Sequence, residues 1–392
     1  MPEEFRAIRA SELNECLDLW GNVFVVDRDY FPPYFYGDPW FKRAYTRVAL
    51  ADGKIVSAMQ ICERRVRVGE AEIIMGGIGN VATYPDYRGR GYSQRLLWDC
   101  AKVMRDRRID FSVLFTGIQP FYAKALWRSV PQRMFAGEPK VDIPSADPRY
   151  AIRAWDWDKD MQAVQRVSDA FNAGRPLTTV RTAEYWAGYL LSRFGKPESR
   201  FVAEFDGIVV GYMYVNRDAD NCWLQEIGYL PEHKACAEAL LFTAAGLARE
   251  VGSQNIRGNL PHEPEILAAI DKIADKIEIT EPMGGMFRVT NMHSLAQRLL
   301  PELNRRAKRS PDGAISLDTE LGSLRFAVRD GRATLGARNP VRVPVSQLEF
   351  FCLLFGIKDA GELGMSIPDK ASGIIETIFP RQRPVFWGPD HF

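Results

Sequence analysis

YRGRGYSQRLL, Tyr87–Leu97, sets two glycines among two arginines and runs straight into a helical pattern. Tyr92, Leu96, Cys100, Val103 and Met104 form an apolar stripe at helical spacing, which predicts a helix from about Gly91 to Arg107. Before it, Glu72–Tyr84 is rich in β-forming residues and reads as a strand. The stretch is therefore a strand-to-helix turn. The first amides of a helix lack internal partners and carry partial positive charge. A phosphate is well held there. Gly89 and Gly91 would let it approach the backbone, and Arg88 and Arg90 add charge. A basic turn in front of an amphipathic surface helix fits the same letters.

The flanks predict a domain around this turn. Ser11 is placed to cap a helix reaching about Phe24. Arg47–Ala51 and Ile55–Val68 flank Asp52-Gly53, an Asp-Gly hairpin signal. Gly76, Gly77 and Gly79 in the next strand suggest bulges or close approach by another backbone. Asp110–Thr116 reads as a short buried strand, and Phe121–Ser129 as a helix.

The pattern then repeats. FRAIRA (Phe5–Ala10) returns as RYAIRA (Arg149–Ala154). RVALADGKIVSAM (Arg47–Met59) returns as RFVAEFDGIVVGYM (Arg200–Met213), with Asp206-Gly207 matching Asp52-Gly53. Ile78–Leu97 is echoed by LQEIGYLPEHKACAEALL (Leu224–Leu241). Three echoes in one order, at offsets of 144, 154 and 146 residues, predict two related domains in tandem. DIPSADP, Asp142–Pro148, is the expected boundary. The second copy keeps the proline and Leu-Leu but loses both glycines, is two residues shorter between them, and carries Glu232 where a phosphate would be repelled. The first copy is thus expected to hold the ligand, and the second to be structural or to bind something else.

Composition narrows the class. The chain has 392 residues, 46% hydrophobic and 26% charged, with formal net charge +1. That balance gives no general attraction to nucleic acid or anionic membrane. No apolar run approaches the ~20 residues of a membrane span. The polar start MPEEFRAIRASE lacks a signal-peptide core. Cys16, Cys62, Cys100, Cys222, Cys236 and Cys352 are scattered and mostly within apolar segments, as buried reduced thiols in the cytoplasm would be. Four histidines and no paired Cys/His motif give no expectation of a metal.

Strand, then R-x-x-G-x-(G/A), then helix resembles the acetyl-CoA signature of the GCN5-related N-acetyltransferases (GNAT). Arg88, Gly91 and Ser93 fill its defined places, with serine as the small third residue. The tandem organisation resembles the Eis (enhanced intracellular survival) family across the whole chain. The resemblance implies an α+β fold: a GNAT acetyltransferase domain at 1–145, a degenerate GNAT-like domain at 146–284, and a C-terminal domain at 285–392 similar to sterol carrier protein 2. A helix at Asn291–Arg306, strand-like AISLDT, LRFAVRD and RATLGA, and helical LEFFCLLFG (Leu348–Gly356) fit the third domain.

The resemblance also implies an activity: transfer of the acetyl group of acetyl-CoA to a primary amine of a cationic acceptor of aminoglycoside, polyamine or lysine type. It implies that Val81, Ala82 and Thr83 splay from the next strand and pair with the pantetheine arm. Gly89, Arg90, Gly91, Tyr92, Ser93 and Gln94 would wrap the pyrophosphate, with Arg88. Gly117 and Ile118 would border the cofactor's other side. Tyr122, in PFYAKALW, matches the family's proton donor, although packing alone could also place a tyrosine there. A phenol with pKa near 10 suits a thiolate leaving group of similar basicity. Phe392 ends an aromatic tail, RPVFWGPDHF, and its α-carboxylate matches the family's base or orienting group; a docked end with no chemistry fits too. The family further implies a homo-oligomer, commonly a hexamer. Val23–Phe41, dense in aromatics and carrying Asp27, Asp29 and Asp38, reads as an acceptor wall or as a packed loop. A non-catalytic acyl-CoA-binding or assembly protein is the alternative function.

Overall fold

In the computed structural model, residues 3–283 and 285–392 are described. The chain opens with β1 (Glu4–Ala7) and α1 (Leu13–Phe24), then the hairpin β2 (Thr46–Ala51) and β3 (Lys54–Val68). β4 (Ala71–Thr83), α2 (Tyr92–Asp106), β5 (Phe111–Phe115), α3 (Gln119–Ala123) and β6 (Arg128–Val130) follow. The hairpin turn places Asp52 at φ 49° and Gly53 at φ 79°, the doubly left-handed turn that Asp-Gly favours. Two local expectations are corrected. Ser11 lies inside a 3-10 turn, Ala10–Glu12, and Glu12 accepts from the Arg9 amide, so α1 starts at Leu13. The helix expected over Phe121–Ser129 stops after Ala123, because Leu126 turns to φ 68° and the chain re-enters the sheet as β6.

The second run gives β7 (Met134–Pro139), β8 (Tyr150–Ala154), α4 (Trp157–Asn172), β9 (Arg200–Phe205), β10 (Ile208–Arg217), β11 (Asn221–Tyr229), the helix Cys236–Glu250, β12 (Asn255–Gly258) and β13 (Ala274–Thr280). Asp206 and Gly207 repeat the left-handed turn of the first hairpin, at φ 51° and 75°. Strands cross the expected boundaries at 145/146 and 284/285. β7 joins the second sheet between β12 and β13. β14 (Gly285–Val289) returns to the first sheet between β5 and β6, pairing antiparallel with both. Each sheet thus has seven strands, in the orders β1-β2-β3-β4-β5-β14-β6 and β13-β7-β12-β11-β10-β9-β8. These exchanges were hidden because β7 and β14 are short and outside the repeated segments.

The remainder forms the helix Met292–Ala307, then β15 (Gly313–Thr319), β16 (Gly322–Arg329), β17 (Arg332–Leu335) and β18 (Val341–Pro344), and two helices, Gln347–Phe355 and Asp369–Ile378. Its four-stranded sheet has the order β17-β16-β15-β18. The largest apolar cluster runs from one face of β4 and β5 through Leu295, Leu299 and Leu303 into Phe350, Phe351 and Phe355. The third sheet and its helices are therefore packed onto the first sheet opposite α2, whose Leu96, Cys100 and Met104 fill the other face. All six cysteines are free and buried. No helix among the described residues is long and apolar enough to cross a membrane.

Candidate active site

β4 and β5 run parallel, but their pairing covers only Met75–Gly77 against Phe111–Val113. Beyond Gly77, β4 leaves its neighbour. On its other edge the register with β3 slips between Ala58 and Gln60, with Asn80 at φ 53°, a bulge that re-aims the strand end. Val81, Ala82 and Thr83 lie on this diverging end.

The turn after β4 is tied down by hydroxyls. Buried Ser57 donates to the Ala82 carbonyl (2.8 Å), and Thr83 Oγ1 lies 2.8 Å from Ser57 Oγ and 2.6 Å from Ser93 Oγ. Ser93, on the first turn of α2, thus pins the helix start to the strand end. Arg88 Nε donates to the Thr83 carbonyl (3.2 Å), and Arg90 donates to the Asp86 carbonyl (2.9 Å) while lying over the Tyr87 ring. Gly89 and Gly91 sit at φ 76° and 82°, where only glycine is unstrained. A Cβ on either would meet nothing within 4 Å. Space, as well as backbone conformation, is being kept. Arg95 N–H makes a helical bond to Gly91 O (3.0 Å), and helix geometry gives the amides of Tyr92, Ser93 and Gln94 no intrahelical carbonyl. The result is an open cradle of amides with basic side chains, the form an anion takes at a helix start.

Gln94 extends from α2 to donate to the Phe121 carbonyl (2.6 Å), fixing α3 beside the cradle. Tyr122 on α3 is buried, 8% exposed. Burial pushes its phenol up, against a hydrogen bond with Thr116, so it stays protonated at neutral pH. Gly117 is open, and Ile118 is exposed beside it, its amide bonded to Thr116 Oγ1 (3.0 Å). The cofactor candidates and Tyr122 therefore lie around one turn and one short helix.

Phe392 reaches the same strand from the opposite face. A Cβ on Gly79 would stand 3.4 Å from the Phe392 carboxyl carbon, and a Cβ on Gly77 would run into the Phe392 ring. The glycines expected to admit another backbone admit this chain end. The tail is held at every step. Val385 N–H bonds Pro176 O (3.1 Å) and Trp387 Nε1 bonds Asn172 Oδ1 (3.0 Å). Tyr189 OH donates to the His391 carbonyl (2.6 Å), and the His391 ring stacks on Phe115 at 4.0 Å. Burial and then Arg193 push His391 down to about 4, which keeps it neutral.

The strongest restraint was not foreseen. Arg181 donates to Asp390 from Nε (3.1 Å) and Nη2 (2.9 Å), and grips both oxygens of Glu226 on β11 at 2.7 Å each. Tyr212 OH donates to the same glutamate. All three charged groups are buried. Burial works against the Arg181 cation, but Asp390 and Glu226 outweigh it and hold its pKa above the usual value. An acid inside an otherwise aromatic tail, GPDHF, was the available signal.

Val23–Phe41 divides between the two readings. Tyr34, Phe35 and Trp40 pack in a core shared with Tyr185, Trp186 and Tyr189. Asp38 is buried and bonded to Arg64 (2.7 Å), which also lies over the rings of Trp40, Tyr185 and Tyr189. That carboxylate is committed inside the protein. Asp27 accepts from the Asp29 amide, and Asp27, Asp29, Tyr30 and Tyr36 are exposed.

Comparisons with known proteins bear on the domain and the fold. Residues 4–129 match the family model described as an acetyltransferase (GNAT) domain. No curated protein matches the sequence significantly. Among solved structures, a probable N-acyltransferase from Enterococcus faecalis V583 superposes with TM-score 0.79 at 17% identity, over 100% of both chains. A GCN5-related N-acetyltransferase from Anabaena variabilis gives 0.74 at 13%, and Eis1 from Mycobacterium abscessus 0.68 at 12%, each over 100% of both chains. At such identities the likeness is one of fold. The chain thus carries an acetyltransferase domain of the GNAT type at its N-terminal end, and it is an acyltransferase enzyme.

Proposed function

We propose that this protein moves the acetyl group of acetyl-CoA to a primary amine, with Tyr122 as proton donor and the Phe392 carboxylate as proton acceptor. The observation that carries the proposal is the meeting at β4: an open glycine cradle on one side, and a buried chain end against Gly77 and Gly79 on the other. Acetyl-CoA supplies an activated thioester. Arg88, Gly89, Arg90, Gly91, Tyr92, Ser93 and Gln94 hold its pyrophosphate. Val81–Thr83 offer backbone groups to the pantetheine arm, with Gly117 and Ile118 along its other side.

The chain's own residues supply two proton events. An amine arrives as ammonium and gives a proton to the Phe392 carboxylate, ionised at neutral pH. The neutral amine attacks the thioester carbonyl, the C–S bond breaks, and the thiolate takes the phenolic proton of Tyr122; the nitrogen, now cationic, sheds its second proton to the Tyr122 phenolate, and the Phe392 carboxyl releases its proton to solvent. His391, held neutral, contributes ring packing on Phe115.

The finer assignments rest on the same reading. Two tandem acetyltransferase-type folds of the Eis kind are supported by matching hairpin turns and by a parallel pair in each sheet, β4–β5 and β11–β12. They exchange β7 and β14, and a third α+β unit similar to sterol carrier protein 2 follows. A cationic acceptor of aminoglycoside, polyamine or lysine type is supported by exposed Asp27, Asp29, Tyr30 and Tyr36; Asp38 takes no part. A homo-oligomer, a hexamer by family likeness, is supported by exposed Val25 (88%) and Tyr36 (77%) on that segment. Six reduced thiols fit the cytoplasm.

The test is thiol release from acetyl-CoA with a panel of polyamines, aminoglycosides and lysine peptides, run on the native chain and on one extended beyond Phe392. Amine-dependent release that the extension abolishes supports the assignment. Binding of acetyl-CoA with no release for any amine would favour the non-catalytic alternative.

A further inference from the structure

A cavity of about 310 Å³ opens between β14, the segment after β12 and the C-terminal tail, divided from Phe392 by the Phe386 side chain. Its apolar walls are Leu177, Leu260, Phe287, Ile357, Val385 and Phe386, all buried. They come from the second sheet's domain, from β14, from the C-terminal unit and from the tail. Phe386 is the partition: its far side packs on Phe115 at 5.7 Å, His391 at 5.3 Å and Phe392 at 6.3 Å. An apolar cavity of this size forfeits many contacts when unfilled, and its volume lies at the small end of ordinary ligand pockets.

The polar side is equally defined. Asn259 and Gln382 line the cavity, and the buried atoms Asn259 Oδ1 and Gln382 Nε2 have no hydrogen-bond partner among the described residues. Arg133, Arg381 and Arg383 line it as well, with Arg175 and Lys358 just behind. The carboxylates paired with these five cations are Glu263, Glu281 and Glu362. Two positive charges are left over. His262, at the rim, is pushed down by burial and then by Arg133, Arg381 and Arg383, a sign that the local field is positive.

We propose that this cavity is a second ligand site, for a small amphipathic carboxylic acid. Its apolar chain would lie against Leu260, Phe287 and Phe386. Its carboxylate would face Arg381, Arg383 and Gln382. The excess cations select an anion over an alcohol or an amine, and the volume of about 310 Å³ selects a short chain over a long lipid.

The experiment is calorimetry on the full-length protein with octanoate, octanol and octylamine, with and without acetyl-CoA. Octanoate should bind at one site per chain, at least tenfold more tightly than octanol, with no measurable binding of octylamine. Its affinity should not change when acetyl-CoA is present. Leu267→Trp, which fills the cavity from the helix Pro264–Ile273, should abolish octanoate binding while acetyl-CoA affinity stays as in the parent. That retained affinity shows the variant is folded. Arg383→Gln, a milder change, should weaken octanoate about tenfold and leave octanol unaffected. The proposal is overturned if octanoate and octanol bind equally, if octanoate fails to bind at millimolar concentration, or if it still binds the filled variant. Displacement of octanoate by an acetylatable amine would also overturn it, by making the cavity part of the transfer site.

Discussion

Gly77→Ala tests whether the position of Phe392 matters to chemistry. Gly77 is not in the left-handed region, so alanine is allowed by the backbone and the effect is steric. The new methyl carbon would stand 2.5 Å from ring carbon Cε2 of Phe392, and closer still to two other ring carbons. Carbon atoms rest ~3.5–4.0 Å apart, so the ring must retreat by about 1 Å or more. The carboxylate moves with it, since the carboxyl carbon lies beside Gly79 on the same strand. A misplacement of ~1 Å costs about a hundredfold in a reaction that depends on geometry. Crowding a packed site costs ~1–3 kcal/mol, and the lower end applies where the displaced group is a chain terminus. Turnover should therefore fall about a hundredfold, with acetyl-CoA affinity unchanged because the cradle at Gly89–Gln94 is untouched. The double variant Gly77→Ala/Phe392→Ala removes the ring but keeps the carboxylate, and should regain at least tenfold of the lost rate. Thiol-release kinetics and calorimetry on the three proteins decide it. Wild-type turnover in the single variant, or no recovery in the double, would refute a working carboxylate.

Gly91→Glu should abolish acetyl-CoA binding by calorimetry, since its side chain enters open space at the helix start and brings negative charge; the strained φ of 82° adds a stability loss of ~1 kcal/mol. Tyr122→Phe should lower kcat about a hundredfold at unchanged acetyl-CoA affinity. Because burial raises the Tyr122 pKa, any alkaline loss of the parent's rate from this group should come at higher pH than for an ordinary phenol. Arg181→Met strands Glu226 and Asp390 in the interior and should cost ~3–5 kcal/mol in urea unfolding, far more than loss of any surface pair.

Much of this was legible because it is written in local patterns. The Asp-Gly turns, the β-forming runs of β3 and β4 and the stripe of α2 each follow from backbone preference and burial. The cradle was legible because glycine at φ above zero, in one copy of a repeat only, calls for a reason beyond folding. What stayed hidden depends on partners distant in sequence. β14 pairs with β5 across some 170 residues, and nothing in GMFRV names that neighbour. The acids of Val23–Phe41 look alike as letters. Only the fold separates Asp38, spent on Arg64, from exposed Asp27 and Asp29. Gly77 and Gly79 were rightly suspected of admitting something, but its identity came from the other end of the chain.

The same tail also accounts for the second sheet. β11 pairs with β12 only from Asn221 to Leu224, so it too diverges from its parallel neighbour, as β4 does from β5. In the first sheet the space beside the strand is open toward a glycine turn. In the second, Gly388 lies against Gln225, and Asp390 reaches Glu226 through Arg181. The turn that follows has Pro231–His233 and Ala235 in ordinary helical conformations, with no left-handed glycine to open it. One divergence thus receives a chain terminus and leaves room for a cofactor; the other is filled by the residues just before that terminus. Two residues separate Asp390 from Phe392, so a rigid grip on the first leaves little freedom to the second. On the proposed reading, a sheet that bound a ligand of its own at this divergence could not hold the tail in this way. Its turn without glycines and its buried Arg181–Glu226–Asp390 cluster both fit a part that positions Phe392.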